Sequence, residues 1–185
     1  ERIIDQGKYV QADAFIARLA AGSARLNPLV VETQLLHGKA SELRSDFPKA
    51  LEYYQKALRS AQRFHYSQGV GKSLRRIGLI HSKKGRYEDA LKNFEESLTL
   101  FKRTHPREEG CAYNNIGMIY TVQGDFEKAE VHYKKALKIH QENRHEVEEG
   151  NDYGGLGILH KFRGDYDRAL EYYYQALRIF KKNNY

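Results

Sequence analysis

The chain has 185 residues, 41% of them hydrophobic, with 14 tyrosines and no tryptophan, which suits one array of surface-rich helices better than a deep enzyme core. The single cysteine, Cys111, excludes an intramolecular disulfide and a cysteine-rich zinc site and points to a reducing, cytoplasmic setting. The net charge of +7 raises affinity for acidic surfaces. The cations, however, alternate with carboxylates, as in Glu127-Lys128-Ala129-Glu130, which reads as solvated helix faces and argues against a nucleic-acid partner.

No apolar run is long enough to span a bilayer, so no membrane partner is expected. No basic-then-apolar leader stands at Glu1, so no secretory signal is expected, and the absent initiator Met marks the chain as an excised or processed piece.

Taken in order, Gly7-Lys8-Tyr9 with Ala12 and Ile16 matches only the second half of a motif that recurs later. Residues 1–26 therefore read as a partial repeat. Asn27-Pro28 suits an N-cap followed by proline at the first helical position. Pro48, tolerable only in a first turn, starts a second helix carrying Tyr54, Ala57 and Leu58. Repeats follow over 27–66, 67–106, 107–146 and 147–185, with helical periodicity throughout and no alternating strand pattern. The turn glycines Gly85, Gly124 and Gly164 are 39 and 40 residues apart. A fixed period of that size is the mark of a solenoid.

Gly38, Gly78, Gly117 and Gly157 fall inside the first helix of each repeat, where each glycine costs about 1 kcal/mol against alanine. Close approach of the paired helix, which a Cβ would block, accounts for them. Ala50, Ala90, Ala129 and Ala169 answer from the second helix. Gly85, Gly124 and Gly164 suit the positive φ of a helix end, and Ser45 stands at that position in the 27–66 repeat. Gly154-Gly155-Leu156-Gly157 lacks the Lys-Ser/Thr of a phosphate loop and reads as a frayed helix, with a backbone bared for ligand as the other reading.

The small Gly of the first helix, the turn Gly-Asp-aromatic and the Ala…Tyr…Ala-Leu of the second helix resemble the tetratricopeptide repeat in its form of about 40 residues. The Asn114-Asn115-Ile116-Gly117 run is similar to repeats of kinesin light chains and of bacterial peptide-sensing regulators. The resemblance implies an all-α, right-handed α-α superhelix forming a single array over 1–185. It implies a non-catalytic scaffold, without cofactor or metal, that binds a peptide or amphipathic helix along the face lined by the first helices, within a larger signalling or regulatory protein. Carried over position by position, the groove residues are Lys72, Arg75, Arg76, Leu79, Asn114, Asn115, Met118, Val122, Asn151, Ile158, Lys161 and Phe162. The family's clamp for an acidic C-terminus is not expected, because Leu79 and Gly155 occupy clamp positions. Leu79, Met118 and Ile158, with Val122 and Phe162 beside them, suggest an apolar stripe flanked by cations. Such a stripe suits an amphipathic partner with acidic flanks. A peptide-sensing regulatory domain is one alternative. Homo-oligomerisation through the array ends is another, since Leu177, Ile179 and Phe180 have no evident cover.

Other candidate chemistry reads as structural. His81 and His160 share a packing position with Tyr120. His132 and His140 stand too far apart to share a metal without a third ligand. Cys111 has no base beside it in sequence and reads as a small apolar groove residue. Asp165 and Asp167 read as caps and solvated charge, as do Glu148 and Glu149. Tyr53-Tyr54 and Tyr172-Tyr173-Tyr174 each contain one core tyrosine, Tyr54 and Tyr173.

Overall fold

A computed structural model describes residues 27–184. Among these the chain forms eight α-helices and no strand: α1 (Asn27–Leu43), α2 (Phe47–Arg63), α3 (Ser67–Lys83), α4 (Tyr87–Phe101), α5 (Pro106–Gln123), α6 (Phe126–Glu142), α7 (Glu146–Arg163) and α8 (Tyr166–Lys182). Odd-numbered helices are the first helix of each hairpin (helix A) and even-numbered ones the second (helix B). The partial repeat expected over residues 1–26 lies outside the described residues.

Local chemistry fixes where helices begin and end. Asp46, Asp125 and Asp165 cap α2, α6 and α8 by accepting from the backbone N–H of Lys49, Lys128 and Arg168 at 3.1, 3.2 and 3.3 Å, each cap contributing about 1 kcal/mol. Gly85, Gly124 and Gly164 take positive φ at the turns, and Ser45 takes the same conformation with φ 60°. A second left-handed position, not anticipated from sequence, closes the helices B: His65, Arg103, Arg144 and Asn184 all have φ between 53° and 64°. A non-glycine residue there is held against a local cost of about 1–2 kcal/mol.

The chain divides into two compact units that part at Ile80 and His81, inside α3. In the first, Val31, Leu35, Ala50, Tyr54, Ala57, Ala61, Ile77 and Ile80 form the core. Gly38 gives the Tyr54 ring its seat, since a Cβ there would stand 2.3 Å from it. In the second unit Ala129, Tyr133, Leu156 and Leu159 form the centre. The Tyr133 ring lies between Gly117 of its own hairpin and Gly155 of the next, where added Cβ atoms would come within 3.1 and 2.3 Å. Burial pushes the Tyr133 hydroxyl up to about 12, against an opposing hydrogen bond with Thr121.

One expectation is corrected here. α7 runs unbroken through Gly154-Gly155-Leu156-Gly157, with no frayed turn. Gly155 and Gly157 instead seat the rings of Tyr133 and Tyr173, while a Cβ on Gly154 would meet nothing within 4 Å. Two of the three glycines are therefore explained by ring packing, and only Gly154 leaves bare backbone at the surface.

Candidate functional site

The second unit sets α5 and α7 side by side as its two neighbouring helices A. Met118 and Val122 of α5 occupy the same repeat positions as Ile158 and Phe162 of α7, one helical turn apart on each helix. Val122, Ile158 and Phe162 are exposed at 47%, 45% and 58%. Met118 packs partly into the core around Tyr133, so the stripe is open at three positions and rooted at the fourth. Asn151 and Lys161 are exposed beside it on α7. Arg163, at the end of α7, is tied back to α6 through Glu127 and Glu130.

The remaining predicted groove residues divide by environment. Asn115 is half-buried, and its Nδ2 has no hydrogen-bond partner among the described residues. Asn114 does not face outward: its Nδ2 donates to Asp152 Oδ1 at 2.7 Å. In the first unit Lys72 pairs with Glu32 at 2.8 Å and Arg76 stands 3.9 Å from Glu42, so two of the expected flanking cations answer carboxylates of α1. Glu42 also accepts from the Tyr54 hydroxyl at 2.9 Å. Arg75 and Leu79 are half-buried on α3.

A buried polar knot behind α5 and α7 was not foreseen. His140 at the end of α6 and Asp152 on α7 are both 1% exposed or less, with Nδ1 and Oδ2 2.5 Å apart. The other ring nitrogen, Nε2, lies 3.1 Å from the Arg107 carbonyl. Both ring nitrogens thus lie beside oxygens, and a doubly protonated ring would donate to each. Burial alone would lower the His140 pKa. The hydrogen bonds with Asp152 and Cys111, the Asp152 charge and the Arg107 carbonyl overcome it and raise His140 to about 10. The knot is an imidazolium–carboxylate pair, with the second Asp152 oxygen satisfied by Asn114 and the His145 ring edge-on at 5.9 Å.

Cys111, His140 and Asp152 are the residue types of a nucleophile, its base and an orienting carboxylate. The geometry here gives His140 no lone pair to take a thiol proton, which that chemistry requires. The three tie α5, α6 and α7 together instead. Sequence reasoning treated Cys111 as having no base near it and His140 only as a rejected metal ligand. The available signal was departure from the repeat: His140 stands where Phe101 and Phe180 stand, and Asp152 where Ala112 and Ser73 stand.

Other sequence readings find their places. Asp165 is a helix cap, and His160 is buried and stacked 5.3 Å from Tyr172. Glu148 is not simply solvated: it holds Arg107 at 2.5 Å across α5 and α7. Among the described residues no helix is long and apolar enough to cross a membrane.

This fold of capped helical hairpins with glycine-seated tyrosines is that of a tetratricopeptide-repeat protein. The family model described as tetratricopeptide repeat matches residues 29–103 and 108–182, and the chain belongs to that family. It is 28% identical over 157 residues to the photosystem I assembly protein Ycf3 of Rippkaea orientalis (strain PCC 8801 / RF-1), covering 77% of this chain and 84% of the relative. The solved structure of BtubC (BKLC) from P. vanneervenii is similar with a TM-score of 0.70 and 23% identity, covering 97% of this chain and 76% of that one. The Rap conjugation gene regulator of plasmid pLS20, solved in complex with the Phr* peptide, is similar with a TM-score of 0.71 and 16% identity, covering 80% of this chain. The chain spans 42% of that regulator, and 58% of the Ycf3 of Prochlorococcus marinus (strain MIT 9215).

Proposed function

We propose that the chain is a non-catalytic interaction module that holds a peptide or amphipathic helix of a protein partner on its helix A face. Its centre in the second unit is Met118, Val122, Ile158 and Phe162, with Asn115, Asn151 and Lys161 as polar neighbours. The observation that carries this reading is the exposure of Val122, Ile158 and Phe162 at repeat-related positions of adjacent helices. The two preceding repeats have Lys39 and Lys83 at two of the four equivalent positions, with Leu79 and Leu43 at the others, so an apolar residue there is not a requirement of the fold. An amphipathic segment lying apolar side down would cover the stripe. Lys161 beside it, on a chain of net charge +7, favours acidic residues at the partner's edges. The first unit offers a candidate surface of its own, Lys72, Arg75, Arg76 and Leu79, where partner carboxylates would replace the Glu32 and Glu42 pairings. Two similarities support the reading: one similar structure holds a peptide, and one relative is named for assembly of a larger complex.

The test is a library of arrayed amphipathic peptides screened against the full chain, with the selected peptides titrated by fluorescence polarisation. Ile158→Glu and Phe162→Glu should each weaken binding by about tenfold or more while the circular dichroism stays unchanged. Peptides that bind equally well to both variants would remove the site.

A further inference from the structure

The residues expected to lack cover at the array end divide: Leu177 is exposed at 46%, while Ile179 and Phe180 are half-buried, with Phe180 against Gly150. The helix A face of the second unit is more specific about its occupant.

A peptide can lie on that face as an extended strand or as a helix, and the two make different demands. An extended chain bares an N–H and a C=O at every residue, and each needs a partner once water is excluded. A helix pairs its own backbone groups and asks the surface for none beyond its ends. The side chains of α5 that could serve an extended backbone are already committed. Asn114 Nδ2 donates to Asp152 Oδ1 at 2.7 Å, and the buried Thr121 Oγ1 donates to the Gly117 carbonyl at 3.0 Å. At the equivalent places α7 has Gly154, with no side chain, and Lys161, which donates but cannot accept. That leaves Asn115 and Asn151, one to a helix, against the two groups per residue that a strand bares.

The shape of the apolar patch agrees. Met118 and Val122 are one turn, about 6 Å, apart along α5, as are Ile158 and Phe162 along α7, and packed helices stand about 8–10 Å apart. The patch is thus two rows deep across two helices. A strand turns a single line of side chains to one face, so in crossing α5 and α7 it would cover one row and leave the other in water. A helix turns two lines side by side. Its residues i and i+7 are about 10.5 Å apart, which matches the step from α5 to α7, and its i+3 and i+4 residues fall between them on the second row.

We propose that the occupant of the α5–α7 face is an α-helix of a partner protein and not an extended segment. It crosses both helices A with apolar residues at i, i+3 or i+4 and i+7, and sets a carboxylate beside the exposed Lys161. The inference rests on the reading of this face as the binding site.

Two sets of synthetic peptides of one composition test it on the full chain, by fluorescence polarisation and circular dichroism. In one set leucines recur at i, i+3, i+4 and i+7, in the other at alternate positions, with glutamates at the flanks of both. The helix-patterned set should bind at least tenfold more tightly and gain helicity on binding. Ile158→Glu should weaken it by about tenfold or more, and a proline placed mid-peptide by about 100-fold. Lysines in place of the flanking glutamates should weaken binding several-fold, and Lys161→Glu should recover part of that loss. Alternating peptides that bind as tightly and respond to Ile158→Glu would overturn the helix while leaving the site in place. So would helix-patterned peptides that bind without gaining helicity. Binding of neither set, or binding indifferent to Ile158→Glu, would remove the site and this inference together.

Discussion

Two ends of helix B in the second unit, at His140 and at Phe180, occupy the same repeat position and are built on opposite principles. At 180 a phenylalanine ring rests against Gly150, where a Cβ would come within 2.7 Å. At 140 an imidazolium fills the same place over Gly110, where a Cβ would stand 2.3 Å from Nε2, and a carboxylate from the next helix answers its charge. The backbone frame is shared and the chemistry is not. The repeat thus asks for a flat ring on a glycine. Where the following helix supplies Ala112 the ring is the apolar Phe101, and where it supplies Asp152 the ring is His140.

Breaking one half of the polar version has the largest expected effect. Asp152→Ala introduces the residue found at the equivalent position 112 but leaves the His140 charge buried without a counter-charge. It should cost about 3–5 kcal/mol of unfolding free energy, measured by urea titration. Joining His140→Phe to Asp152→Ala converts the knot to the apolar version and should return all of that loss, or exceed the parent by about 1–4 kcal/mol. A double variant no better than Asp152→Ala alone would mean that the two ends are not interchangeable.

The same pair predicts a pH dependence with a definite sign. His140 sits at about 10 in the folded protein, against about 6.5 unfolded. Its stabilisation is therefore complete below pH 6.5 and is lost as pH rises from there through 10. The groups facing it are Asp152 and, from α5, Cys111 and the Arg107 carbonyl, with His145 alongside. The urea midpoint of the parent should fall across that window. The His140→Phe/Asp152→Ala variant should fall less, and the difference between the two isolates the pair from other groups that titrate there. Parallel curves would place the proton elsewhere.

Why the knot was invisible while the hairpins were not follows from how each is encoded. Helices, caps and turns are written in residues near one another, so Asp125 and Gly124 announce the start of α6 within a few positions. Repetition then supplied the pairing, and the glycines at 117 and 157 could be assigned to close packing because they recur. The His140–Asp152 pair recurs nowhere, and each member alone resembles an ordinary polar residue of a charged helix. The candidate site was legible by halves for a related reason. Repeat position identifies which residues belong to helix A, but it does not say how deep each one sits. Met118 and Ile158 share a position, yet Met118 joins the core and Ile158 is 45% exposed. Asn114 shares a position with Arg75 and Gly154, yet it is committed to Asp152.

Two adjacent glycines of α7 give the smallest and cleanest contrast. Gly155→Ala would drive a methyl group to 2.3 Å from the Tyr133 ring. That ring also lies against Gly117, where a Cβ would come within 3.1 Å of it, and overpacking of this kind costs about 1–3 kcal/mol. Gly154→Ala meets nothing within 4 Å and gains the helix propensity that glycine lacks, which should stabilise the protein by about 0.5–1 kcal/mol. One position apart on the same helix, the same substitution should change sign. If Gly154→Ala stabilises the chain as expected, its effect on peptide titration becomes the finer probe. A methyl group that leaves binding unchanged would show that the partner rests on the Ile158 and Phe162 side chains, and a methyl group that weakens it would show that the partner reaches the bare backbone of α7.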